Sequence, residues 1–174
     1  MRLPLFAALL VATPLLAQQP SAPPGPPPQP AFTADSAAVM QVVTNLFSGM
    51  RTRDTSLMRA QFHPEAPMRS AAWGRGPNGP QAMIQADGIA DWLTGVAGAP
   101  AGTVLDERLG PPSVQVDGNL ASVWVYYEFY LGDRFSHCGA DLFSLGRTAD
   151  GWKVIFVADS RRRAGCAQNL PKGS

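Results

Sequence analysis

Residues 120–131 read LASVWVYYEFYL, a run dense in β-branched and aromatic side chains that closes on Gly132-Asp133, a pair suited to a hairpin loop. Downstream, residues 135–145 form a second apolar run leading to Thr148-Ala149-Asp150-Gly151, and residues 152–163 form a third. Upstream, Val114 to Val116 meets Asp117-Gly118, a further hairpin signal. The spacing predicts a long antiparallel meander. Within its central strand, Val123, Val125, Tyr127, Phe129 and Leu131 alternate with Leu120, Trp124, Tyr126 and Tyr130, so both faces are apolar. A sheet wetted on one side shows polar residues at every second position. Each face therefore needs a cover: helices for one, and a partner subunit as the simplest cover for the other.

The helical cover is legible upstream. Val39, Val42, Val43, Leu46, Phe47 and Met50 repeat at three and four residues and make one apolar stripe, with Asp35 or Thr33 placed to cap it and Phe32 to staple it. Thr55 opens a shorter helix that buries Leu57, Met58 and Phe62 and stops at His63-Pro64. Residues 66–73 form a short, weak strand. The GRGPNGP stretch at 74–80 reads as a loop, since it has neither the Lys-Ser/Thr ending nor the spacing that cradles phosphate. After an extended piece at 81–86, Asp87 caps a third helix with Ile89, Trp92, Leu93 and Val96 on one face, ended by Gly98 and Pro100. A strand follows at 103–109, with Gly110-Pro111-Pro112 as a bend. Helices followed by long antiparallel strands predict an α+β fold, three N-terminal helices lying on one face of a curved sheet.

The first 17 residues, MRLPLFAALLVATPLLA, place Arg2 before a short apolar run and read as a signal peptide cut after Ala17, which leaves no stable membrane span in the mature chain. Residues 18–31 read as a proline-rich linker expected to be disordered, with seven prolines and no charge in QQPSAPPGPPPQP. The domain occupies 32–166, and 167–174 form a flexible tail. A secreted or periplasmic address follows. The net charge of +1, with both signs scattered, gives no electrostatic footprint for nucleic acid. Arg161, Arg162 and Arg163 point alternately to opposite faces of a strand and do not make one patch. Cys138 and Cys166 are the only cysteines, and in an oxidising compartment two are more often paired than free. A bridge between them would staple the C-terminal tail to the sheet.

Candidate chemistry comes from the two turns. With Gly132-Asp133 as a two-residue turn, Glu128 faces His137, Tyr126 faces Gly139 and Trp124 faces Asp141. With Ala149-Asp150-Gly151 as a three-residue turn and Gly151 left-handed, Asp141 faces Asp159, Gly139 faces Arg161 and His137 faces Arg163. These registers gather Trp124, Tyr126, Glu128, His137, Asp141, Asp159 and Arg161 on one sheet face as a ligand-binding set. Asp141, Asp159 or His137 could move a proton there, with Arg161 steadying a developing anion. The competing reading is an internal network of salt bridges and hydrogen bonds at the open end of a barrel. A slip of one residue in either turn sends half of these side chains to the other face. His137 and Cys138 are strand neighbours that point apart, so His137, Cys138 and Asp141 make no metal site, and neither a metal nor another cofactor is expected. Ser136 and Ser144 stand in no nucleophile motif, and His63 reads as a helix terminator.

The order of elements resembles a known family. The long first helix followed by RTRDTSLMRAQFHPEAPM (51–68), and the C-terminal run from VDGNLASVWVYYEFYL (116–131) through DGWKV (150–154), are similar to the nuclear transport factor 2-like superfamily, also called SnoaL-like. FSHCG (135–139), DGWKV and the Asp-x-Arg-Arg ending at 159–162 are most similar to a bacterial branch labelled putative lumazine-binding. The resemblance covers about residues 33–166. It implies a cone-shaped α+β barrel whose curved sheet wraps around the helices, leaves a pocket between them, and pairs by its outer face in a homodimer. Members include isomerases, dehydratases, cyclases and proteins with no known chemistry, so fold does not name an activity. The leading expectation is a secreted or periplasmic small-molecule-binding or accessory domain. The alternatives are a cofactor-independent isomerase or dehydratase, and a structural dimerisation module.

Overall fold

A computed structural model describes residues 34–172. The expected leader at 1–17, the linker at 18–31, and the cap and staple assigned to Thr33 and Phe32 lie outside the described residues. The elements in order are α1 (Ala34–Thr52), α2 (Thr55–Ala60), β1 (Met68–Gly76), β2 (Gly79–Gln85), α3 (Ile89–Ala97), β3 (Leu105–Leu109), β4 (Ser113–Asp117), β5 (Leu120–Leu131), β6 (Arg134–Thr148) and β7 (Gly151–Ser160). The α1 stripe is buried as the periodicity predicts, and Asp35, in the first turn, pairs with Arg147 at 2.5 Å. The cap of α2 is Asp54, whose Oδ1 accepts from the Leu57 amide at 2.8 Å. α3 corrects the expectation for Asp87. Its N-cap is Gly88, without a side-chain cap, because the Asp87 carboxylate instead accepts from the buried Ser70 hydroxyl at 2.8 Å.

The strand order is β2-β1-β7-β6-β5-β3, with β4 also paired to β5. This path is curved and unclosed, and it corrects the all-antiparallel expectation: β1 runs parallel to β7, pairing Met68 with Val157 and Ser70 with Asp159. The two weak extended pieces become a regular hairpin. β1 continues through Gly76 and β2 resumes at Gly79, whose φ of 121° suits only glycine, so Pro77-Asn78 alone makes the turn. The inner face of β5, β6 and β7, including Val123, Val125, Phe143, Leu145 and Val154, packs on α1 and α3, with the Phe47 ring edge-on to Phe143 at 6.0 Å.

The outer face is divided. Cys138 and Cys166 form a disulfide with their Cα atoms 5.9 Å apart, and the chain beyond it turns back over β5 and β3. Ala167 donates its amide to the Tyr126 hydroxyl, Asn169 and Leu170 donate theirs to Glu128, and Arg108 donates to the Leu170 carbonyl. Lys172 pairs with Asp133. The residues expected to trail off from 167 thus lie on the sheet as far as 172, because Glu128 gives their backbone amides a buried acceptor. This end of the outer face is covered by the chain itself. At the other end Leu120 and Trp124, each 55% exposed, and Ile155 remain open.

Candidate functional site

Two bulges decide which side chains meet. Gly132-Asp133 is the two-residue turn the sequence predicts, with Leu131 opposite Arg134 and Tyr130 opposite Phe135. Ser136 then adds one residue to β6, so His137 faces Phe129, Cys138 faces Glu128, Ala140 faces Tyr126 and Leu142 faces Trp124. The expected pairings of Glu128 with His137, Tyr126 with Gly139 and Trp124 with Asp141 are each off by one. Trp124, Tyr126 and Glu128 consequently stand on the outer face, away from the other candidates. In the second hairpin the turn is Ala149-Asp150, one residue shorter than expected, with Thr148 opposite Gly151. A bulge at Ile155 restores the missing residue, so Asp141 faces Asp159 as predicted, and Cys138 pairs with Arg162 through two 2.9 Å bonds.

On the inner face His137, Asp141, Asp159 and Arg161 do come together, joined by Glu107 of β3 and Tyr127 of β5. Sequence reasoning missed both additions. The signal for Glu107 was its place between Leu105 and Leu109: strand alternation puts all three on one face, so a carboxylate faces inward among leucines. Asp159 is the hub. Its carboxylate accepts from Arg161 Nε at 2.5 Å, from the Tyr127 hydroxyl at 3.4 Å and from Ser70. Tyr127 also reaches the Ser160 carbonyl at 3.0 Å, while Ser70 stands between Asp159 and Asp87 with one proton to give to either.

Asp141 is 4% exposed, and its Oδ2 has no hydrogen-bond partner. The side chain lines a recess of about 50 Å³ walled by Phe47, Met68, Phe143 and Val157. Trp92, Glu107, His137 and Arg161 line both this recess and an adjoining cleft of about 230 Å³ that reaches Met50, Val96, Leu105 and Phe129. The Glu107 and Asp141 carboxyls are hydrogen-bonded to each other. Burial pushes Glu107 up to about 7, with the Asp159 charge adding to the rise while the Asp141 bond and Arg161 oppose it. Burial, and then the Glu107 charge, hold Asp141 well above the carboxylate range. At neutral pH the pair therefore retains a proton. His137, between the Tyr127 and Phe129 rings, is lowered by burial and by Arg161, so it is neutral there. Among the described residues no three His, Cys, Asp or Glu side chains are grouped to hold a metal ion.

The raised Glu107 value has a sign that can be tested. The unfolded carboxyl titrates near 4.5 and the folded one near 7, so the folded protein binds the extra proton and loses stability as pH rises between those values. Glu107→Gln is expected to flatten this slope and leave the variant more stable than the parent at pH 8, by on the order of 1–3 kcal/mol. Urea melts from pH 5 to pH 8 check it; an unchanged slope would place the proton elsewhere.

Glu128 is a fully buried anchor on the outer face. It accepts from the Tyr126 and Tyr130 hydroxyls, each at 3.2 Å, and from the amides of Asn169 and Leu170 at 3.2 and 3.1 Å. Burial works against its charge, but the backbone amides of Leu170, Asn169 and Gln168 outweigh burial and hold the carboxyl below its usual value. Arg108 lies 3.6 Å over the Tyr130 ring and pairs with Asp106.

A family model described as "Putative lumazine-binding" matches residues 34–157. Among solved structures, an NTF2-like protein of unknown function from Shewanella baltica is 12% identical with a TM-score of 0.58, over 78% of this chain and 100% of that one. An NTF2-like protein of unknown function from Pseudomonas putida is 20% identical with a TM-score of 0.57, over 82% and 96%. A protein of unknown function with a cystatin-like fold from Nostoc punctiforme is 13% identical with a TM-score of 0.57, over 76% and 95%. At these identities the likeness carries the fold alone. No curated protein matches the sequence.

Proposed function

Because this chain belongs to the family described as putative lumazine-binding, of the NTF2-like superfamily, we propose that it is a secreted or periplasmic domain that binds a small, partly apolar molecule between sheet and helices. The observation that carries this reading is Asp141 Oδ2, buried without a partner against a cavity walled on one side by Phe47, Met68, Trp92, Phe143 and Val157. A buried polar atom left unsatisfied costs about 1–3 kcal/mol, and a ligand in the recess would recover that. Secretion is supported by the 1–17 leader and by the disulfide, which suits an oxidising compartment.

The test is native mass spectrometry of protein purified from a bacterial periplasm. A retained small molecule is expected, bound at least about tenfold more weakly by Asp141→Asn, which replaces one carboxyl oxygen by an amide nitrogen at nearly constant shape. A parent that holds nothing and whose melting temperature responds to no compound of a metabolite panel overturns the reading.

A second reading, a cofactor-independent isomerase or dehydratase, is favoured by one observation. Glu107, at about 7, is matched to general acid–base work at neutral pH and stands beside a protonated Asp141. A saturable turnover abolished by Glu107→Gln would move the assignment there.

The homodimer expected for this superfamily has a candidate face in the open patch of Leu120, Trp124 and Ile155. Trp124→Arg is expected to turn a dimer into a monomer in light scattering, and a monomeric parent would exclude that interface. A purely structural dimerisation module has no use for the cavity.

A further inference from the structure

Resting on the pocket reading, we infer that the ligand is an organic cation: a small amine on an apolar or aromatic body, its ammonium group in the recess against Asp141 and Glu107.

Carboxyls outnumber cationic groups around the recess. Three carboxyls face it, Glu107 from β3, Asp141 from β6 and Asp159 from β7, and Asp87 lies behind Ser70. Against them stands one guanidinium, Arg161, already bonded to Asp159 at 2.5 Å. The remaining titratable groups facing the carboxyl pair are His137, neutral through burial and the Arg161 charge, and Tyr127, which burial keeps protonated. Asp141 and Glu107 therefore have each other and share the one guanidinium with Asp159, which holds its Nε, and Asp141 Oδ2 is buried and unpartnered.

The three ligand charges differ in what they meet. An anion would meet three carboxyls and a single guanidinium whose Nε is already bonded to Asp159. A neutral carbonyl or hydroxyl would use one proton of the pair and leave its net charge uncompensated whenever that pair ionises. An ammonium brings several donors on one atom, enough for both Asp141 and Glu107, and neutralises them where the low dielectric makes such contacts strong. The walls agree, since Phe47 and Trp92 line the recess and Phe129 the cleft, and aromatic side chains suit a cation carried on an aromatic body. Size agrees as well. The recess of about 50 Å³ has room for a small head group, and the adjoining cleft of about 230 Å³ for the body that carries it.

A bound cation favours ionised Glu107, whose carboxyl titrates at about 7, so affinity must rise with pH through the neutral range. Calorimetric titration of the mature protein with benzylamine, benzyl alcohol and phenylacetate at pH 6, 7 and 8 tests this. Benzylamine is expected to bind at least about tenfold more tightly than the other two, to gain about tenfold between pH 6 and pH 8, and to release a proton detectable by comparing buffers. Asp141→Asn is expected to weaken the amine about tenfold or more, and Glu107→Gln to flatten its pH dependence. If benzyl alcohol or phenylacetate matches benzylamine, or a compound retained from the periplasm binds while benzylamine does not, the cation assignment falls and the pocket reading stands. If neither the probes nor any periplasmic compound binds, both fall.

Discussion

Gly139→Ala is expected to destabilise the protein by about 3–5 kcal/mol and to part β6 from β7 beside the cavity. A Cβ at this position would lie 1.7 Å from the Ser160 carbonyl oxygen and 2.8 Å from the Tyr127 ring. The first contact is with backbone, so no change of rotamer relieves it; the strands must separate. That separation strains the neighbouring Cys138–Arg162 bonds and the bond from the Tyr127 hydroxyl to Ser160, each worth about 1 kcal/mol, on top of an overpacking cost of about 1–3 kcal/mol. Gly146→Ala is the control. There the new Cβ meets the Ile155 side chain at 3.2 Å, which can move, so a loss below about 1 kcal/mol is expected. Chemical denaturation of both variants decides, and equal losses would mean that the close approach at Gly139 is not what fixes this part of the sheet.

The second large effect belongs to Glu128. Glu128→Ala strips a buried acceptor from two hydroxyls and two backbone amides, and a loss of about 3–5 kcal/mol is expected, against about 1–3 kcal/mol for Glu128→Gln, which keeps one oxygen. Because its folded pKa lies below the usual 4.5, this carboxylate stabilises the fold above that value, and the contribution is lost as pH falls through the lower, folded pKa. Acid should therefore free residues 167–172 before it unfolds the sheet. Hydrogen exchange of their amides below pH 4.5 reads this directly. Protection at Asn169 and Leu170 that survives both acid and Glu128→Ala would show that other contacts hold the segment.

What could be read from the sequence was local. The stripe of α1, the alternation of β5 to β7 and the turn at Gly132-Asp133 each repeat over a few residues, and the fold class follows from them. The bulges at Ser136 and Ile155 leave no such mark, since each adds one ordinary residue while reversing the faces beyond it. At Ser136 this removed Trp124, Tyr126 and Glu128 from the candidate site. At Ile155 it compensated for a turn taken one residue too long, so Asp141 and Asp159 were paired correctly on a wrong turn. Glu107 is legible in its Leu-x-Glu-x-Leu setting, where strand alternation alone turns a carboxylate inward. The docked C-terminus was not legible, because its partner is a glutamate some forty residues away, which the predicted register had placed in the pocket.

The parallel neighbours β1 and β7 also constrain how the molecule assembles. Ser70 and Asp159, 89 residues apart, meet only after the last strand is in place, and closing so long a loop early is entropically unfavourable. As the chain is made N-terminus first, β1 has no parallel neighbour until residues 151–160 emerge. The same late step delivers Asp159 and Arg161. Folding of the domain and creation of its cavity are thus one event, and a nascent chain that stops short of β7 has neither.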